Sequence, residues 1–172
     1  LENLKLDFES CRLISDSGLK ALASLREIKS LDLSLKGCNR ITDQGIKNFC
    51  VEVLQRLKSL KSLNLNLGHT GITDNGVKIL CTEGLKYLGG LETLKIGLGT
   101  LYNLTDEGVK ALFCEGIRYL VGLITLHVNF DYSARITNSF IQAIYSEEKE
   151  GVMKSLTASL KDLQLGFYGC RN

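Results

Sequence analysis

The chain has 172 residues, 44% of them hydrophobic and 23% charged, with a net charge of +2. That is enough for one domain with its own core, in the composition range of ordinary soluble proteins. The charge balance gives no reason to expect a nucleic-acid or membrane partner, and no apolar run approaches the roughly 18 residues of a membrane span.

Hydrophobic alternation organises the chain from its first residues. Leu4, Leu6 and Phe8 alternate with polar residues, as do Leu31, Leu33 and Leu35, and then Leu63, Leu65 and Leu67. The pattern returns at Leu94, Ile96 and Leu98, at Leu126, Val128 and Phe130, and at Leu163, Leu165 and Phe167. Each run predicts a short strand with one buried face. An apolar residue stands three positions before each strand, at Leu1, Ile28, Leu60, Leu91, Leu123 and Leu160, which gives spacings of 27, 32, 31, 32 and 37 residues.

A second signal follows each of the first five strands: ISDSG from Ile14, ITDQG from Ile41, ITDNG from Ile72, LTDEG from Leu104 and ITNSF from Ile136. The apolar residue is expected in the core. The Ser or Thr is expected to cap a helix, with the following acid favoured at the positive helix end. A helical stripe begins at once: Ile46, Phe49, Cys50, Val53, Leu54 and Leu57, then Val77, Leu80, Cys81, Leu85 and Leu88. Strand, turn and helix in repetition predict a parallel sheet with helices along one side. A single unit cannot bury its own face, so the units stack. Helices pack about 8–10 Å apart and strands about 4.7–4.9 Å, so the stack curves with its strands inside.

The repeated frame L-x-L-x-[L/F], followed by a Cys, Thr, Ser or Leu turn residue and [I/L]-[S/T]-[D/N]-x-G, resembles the leucine-rich repeat family. The fold class implied is α/β: a horseshoe solenoid with a parallel sheet on the concave face and helices on the convex face. Cys11-x-x-Ile14, Cys38-x-x-Ile41 and the terminal Cys170 are similar to the cysteine-containing subclass of F-box leucine-rich-repeat proteins, and the unit lengths resemble the ribonuclease-inhibitor group. Thr70, Leu101 and Ser133 replace the cysteine in units three to five, and Phe140 replaces the glycine in unit five. A single array of about five and a half repeats is expected over residues 1–172, starting near 1, 28, 60, 91, 123 and 160. Without an initiator Met, a signal peptide or a polar capping unit, the chain reads as a piece of a longer protein.

GCNRITDQG, from Gly37 to Gly45, is the segment most like a reactive site, with a thiol, a guanidinium, a hydroxyl and a carboxylate close together. A nucleophilic Cys38 needs a base, however, and the two histidines, His69 and His127, belong to other units. Cys11, Cys38 and Cys170 are therefore expected to pack inward, reduced, in the recurring turn. None of the six cysteines forms a CxxC pair, which argues against a zinc site and suits a reducing, cytoplasmic location. Asp16, Asp43, Asp74 and Asp106 recur at one helix-start position, where capping explains them better than calcium. IGLGT, from Ile96 to Thr100, lacks the second half of any phosphate loop, but Gly97 and Gly99 leave a flat patch. SEEKE, from Ser146 to Glu150, reads as a solvated segment or a recognition loop.

Residues between the buried strand positions must face the concave wall. The candidates for partner binding are Lys5, Asp7, Asp32, Ser34, Lys36, Asn64, Asn66, Lys95, Gly97, His127, Asn129, Asp131, Gln164 and Tyr168. The wall is polar, of mixed charge, with Tyr168 as its one aromatic. It has neither a paired acid and base nor the basic-aromatic interleaving that binds single-stranded nucleic acid. No catalytic residue, cofactor, metal or small-molecule substrate is expected. The expected function is a non-enzymatic scaffold that binds a protein on its concave surface. The resemblance implies a substrate receptor of a ubiquitin ligase as one form; the alternative is a structural subunit of a large cytoskeletal or ciliary assembly. A cysteine-dependent enzyme is the competing class.

Overall fold

A computed structural model of the chain describes residues 1–140 and 158–170. The SEEKE segment lies outside the described residues.

Six parallel strands form one sheet in sequence order: β1 (Asn3–Asp7), β2 (Ser30–Ser34), β3 (Ser62–Asn66), β4 (Thr93–Gly97), β5 (Thr125–Asn129) and β6 (Asp162–Gly166). Helices α1 (Asp43–Glu52), α2 (Asp74–Ile79) and α3 (Asp106–Ala111) connect the central strands. Each connection winds back to the next strand through a short 3-10 turn, and in units three and four also through a π turn, at Leu80–Gly84 and Leu112–Gly116. The fold is a leucine-rich-repeat solenoid of the α/β class, with one strand contributed by each unit.

The core lies between the sheet and the connecting helices. Leu31, Leu33, Leu35 and their equivalents through Phe130 are buried, as are both predicted helical stripes. On the last strand, Leu163 and Leu165 are 39% and 36% exposed rather than buried. No following unit among the described residues covers them. Phe130, Phe140 and Phe167 stack at 5.0–5.1 Å in that region. Phe140, standing where other units have glycine, thus packs in the core.

The first unit departs from expectation. Its connection is a 3-10 helix, Gly18–Ser24, with no side-chain cap, and Ser15 Oγ hydrogen-bonds Ser17 Oγ instead of a first-turn amide. Cys11, expected inside, is exposed. The reason is positional. Cys38 Sγ donates to Phe8 O of the preceding unit at 3.1 Å, Ser133 Oγ to Leu98 O at 3.3 Å and Cys170 Sγ to Phe130 O at 3.3 Å. In these three units the turn residue reaches back to the unit before it, and among the described residues no unit precedes that of Cys11.

The Thr of the ITDxG segment caps its own helix as expected: Thr42, Thr73 and Thr105 accept from the amides of Gln44, Asn75 and Glu107. The Asp does more than favour a helix dipole. Asp16 accepts both the N–H and the hydroxyl of Thr42, at 2.8 and 2.7 Å. Asp43 does the same for Thr73, Asp74 for Thr105 and Asp106 for Thr137. Each carboxylate clamps the next unit. The glycine makes room for it: a Cβ on Gly45 would lie 2.1 Å from Asp16 Oδ1, and one on Gly76 would lie 2.2 Å from Asp43 Oδ1. Where Phe140 replaces the glycine, Ser139 Oγ also donates to Asp106.

Candidate functional site

The stacking aligns the outward strand residues into rows. Lys5, Asp32, Asn64, Lys95, His127 and Gln164 are register partners across all six strands. Asp7, Ser34, Asn66, Gly97 and Asn129 form the next row, closed by Gly166. Lys36, Asp131 and Tyr168 stand two residues further on, in a tier held by a ladder that continues past the strands: Gly37 N donates to Gly68 O, His69 N to Gly99 O and Tyr132 N to Tyr168 O. All the candidate residues therefore share the sheet face turned away from the helices.

The two halves of this face differ. On β1 and β2 the charges neutralise one another: Lys5 pairs with Asp32 at 3.6 Å and Lys36 with Glu9 at 2.7 Å, while Asn64 Nδ2 also donates to Asp32. On β3–β6 the carboxylates are occupied. Asp131 accepts from Asn129 Nδ2 and from the Tyr168 amide, and Asp162 meets His127 Nε2 at 2.6 Å. Lys95, half-buried at the middle of that half, has no carboxylate within 4 Å among the described residues.

Two hollows indent this second half. One, of about 380 Å³, is lined by Asn64, Lys95, His127 and Gln164 over Gly97 and Gly166. The other, of about 370 Å³, adjoins it through Asn66, Gly97 and Asn129 and reaches Asp131 and Tyr132. The glycines under them have a specific cause. A Cβ on Gly97 would sit 2.6 Å from Asn66 Oδ1, and one on Gly99 would sit 2.8 Å from Asn129 Oδ1. Those carboxamide oxygens accept the amides of Gly68 and Asp131. The missing side chains let two asparagines fold across the strands, and a trough remains.

Tyr168 is not the only aromatic at this surface. His69 and Tyr102 meet edge to face at 5.7 Å, and Tyr132 and Tyr168 at 5.3 Å, along the edge beyond the strand C-termini. All three tyrosines are more than half exposed. His69, Thr100 and Tyr132 have left-handed backbones, with φ of 54°, 58° and 61°. The inter-unit amide ladder forces that conformation, and with it the outward aromatic edge. The one available signal in the sequence was that these positions fall in the same place after each strand.

The GCNRITDQG segment is architecture. Cys38 is buried and donates to a backbone carbonyl, and burial raises its thiol pKa. Burial likewise pushes Cys50 up to about 12 and raises Cys81 further. None of the three is poised to be a thiolate, the reactive form. All six cysteines are free, so Cys11 and Cys38 are not bridged. Among the described residues, no three His, Cys, Asp or Glu side chains gather as a metal-ligand set, and no helix is long and apolar enough to cross a membrane.

A curved stack of strand–helix units with a continuous polar face defines a leucine-rich-repeat interaction module. Residues 2–23, 28–50 and 57–81 match the family described as Leucine Rich repeat, and the six parallel strands with their connecting helices have the fold that such repeats build. No curated protein matches the chain.

Proposed function

We propose that the chain is a non-enzymatic docking module that binds a protein partner across β3–β6 of its concave face. The observation that supports this most is the trough over Gly97 and Gly166, which carries a lysine without a counter-charge among the described residues and lies beside an edge of exposed tyrosines. Exposed aromatics beside a concave polar floor are the usual anchors of protein interfaces. The raised thiol pKa values of Cys38, Cys50 and Cys81 weigh against a cysteine-dependent enzyme.

The test is affinity capture from cell extract with the wild-type chain, with K95E/N129R, and with K47E, whose lysine lies exposed on α1. Proteins captured by wild type and K47E should be lost with K95E/N129R. An unchanged set of partners refutes the concave-face reading. In its finer form the module is a substrate receptor of a ubiquitin ligase in a reducing, cytoplasmic compartment. The inward packing of Cys38 and Cys170, the positions that resemble the F-box subclass, supports this form. A captured partner should then accumulate when the full-length protein is depleted, and unaltered partner turnover counts against this role.

A further inference from the structure

We propose that the trough over β3–β6 takes an extended peptide segment of the partner and reads an aspartate or glutamate side chain in it through Lys95; this rests on the docking reading above. The hydrogen-bond inventory gives the charge of the occupant. The carboxylates beside the trough already have partners, Asp131 through both oxygens and Asp162 through Oδ2, and the carboxamide oxygens of Asn66 and Asn129 accept backbone amides. The donors are not. Lys95 Nζ, the Asn66 amide nitrogen and the Gln164 side chain have no hydrogen-bond partner among the described residues.

An unpaired ammonium that a bound partner covers loses water, so the partner must supply the compensating charge. A floor with one unpaired cation, and with free amide donors on Asn66 and Gln164, suits a single carboxylate. It has no arginine fork of the kind that grips a phosphate on two sides. The opposite half of the face offers no such site, because Lys5 and Lys36 are already paired there.

The dimensions fit a short segment. Four strands at ~4.8 Å spacing span ~14 Å from the Asn64 row position to Gln164, which is about four residues of extended chain. Lys95 stands second of the four, so the acid lies inside the segment. The trough runs across strands as an open channel rather than ending in a closed pocket, which points to an internal acidic side chain and not to a terminal carboxylate.

The experiment is selection from a randomised peptide display library on the wild-type chain, on K95E, and on K47E as a control of equal charge change. Peptides selected on wild type and K47E should share an Asp or Glu at one position. In fluorescence anisotropy, one such peptide should lose at least about tenfold in affinity for K95E and for the milder K95Q, and less than about twofold for K47E. Exchanging its acid for lysine should restore binding to K95E. Circular dichroism on K95Q shows that a loss is not misfolding. Peptides that share no acid, an acid-to-lysine exchange that fails to rescue, or equal affinity for wild type and K95Q overturn the proposal. If N129R abolishes binding while the Lys95 variants do not, the concave docking reading stands and this inference falls. Recovery of no binder, or of binders sensitive only to K47E, overturns both.

Discussion

Removing Asp16 and filling Gly45 tests the inter-unit clamp by a double-mutant cycle. Asp16 accepts two hydrogen bonds from Thr42, and a Cβ on Gly45 would lie 2.1 Å from Asp16 Oδ1 and 3.2 Å from its Cα. A hydrogen bond to a charged group contributes about 1.5–3 kcal/mol, and the half-exposed carboxylate lets water replace part of that. Asp16→Ala should therefore cost about 1–3 kcal/mol. Gly45→Ala alone must push the carboxylate off Thr42, and its gain of about 1 kcal/mol in helix propensity only partly offsets the loss. A net cost of about 1–2 kcal/mol follows. In the Asp16→Ala background the obstructing oxygen is gone, so Gly45→Ala should become stabilising by about 0.5–1 kcal/mol. The coupling is then about 1.5–3 kcal/mol, read from urea unfolding of the four proteins followed by circular dichroism. Effects that add within about 0.5 kcal/mol would refute the reasoning that the glycine exists to admit the aspartate.

Three other outcomes follow from the same contacts. Burial raises the Asp106 carboxyl, but hydrogen bonds from Ser139 and Thr137 outweigh it, with Lys110 assisting, and hold the pKa below the ordinary aspartate value. Its contribution to stability is thus present above the unfolded pKa of about 3.9 and lost as pH falls through the lower folded value. Asp106→Asn should flatten that acid limb in unfolding scans, and an unchanged limb contradicts the assignment. Iodoacetamide at neutral pH should modify exposed Cys11 readily, while Cys50 and Cys81 react only after unfolding; fast labelling of Cys50 or Cys81 would contradict their burial. Gly68→Ala would place a Cβ 2.9 Å from the backbone oxygen of Gly99 and should cost about 1–3 kcal/mol, whereas Gly90→Ala meets only Lys61 Nζ at 4.0 Å and should stay within about 0.5 kcal/mol.

The strands, the helix starts and the rows of outward residues were legible because they depend on spacing within one unit. Leu31, Leu33 and Leu35 had to face one way and Asp32 and Ser34 the other, and repetition of the frame aligned Asp32 with Asn64 and Lys95. What escaped depends on relations between units. Nothing local distinguishes an Asp43 that favours its own helix from one that holds Thr73 of the next unit, nor shows that Gly76 is there to let it pass. Cys11 carries the same local pattern as Cys38, yet its partner carbonyl would belong to a preceding unit. His69 and Tyr132 were overlooked because left-handed backbone favours glycine, and the ladder to Gly99 and Tyr168 overrides that preference. Gly97 and Gly99 were readable as a gap but not as the space into which Asn66 and Asn129 fold.

Chemical-shift mapping with a peptide selected on the wild-type chain bears most directly on the docking surface. The account predicts that the side-chain amides of Asn64, Asn66, Asn129 and Gln164 and the backbone amides of Ile96 and Val128, which all line the trough, shift on titration. The exposed Val51 methyl groups on the opposite side, in α1, should stay in place. Shifts confined to α1–α3, with the trough amides unmoved, would contradict it.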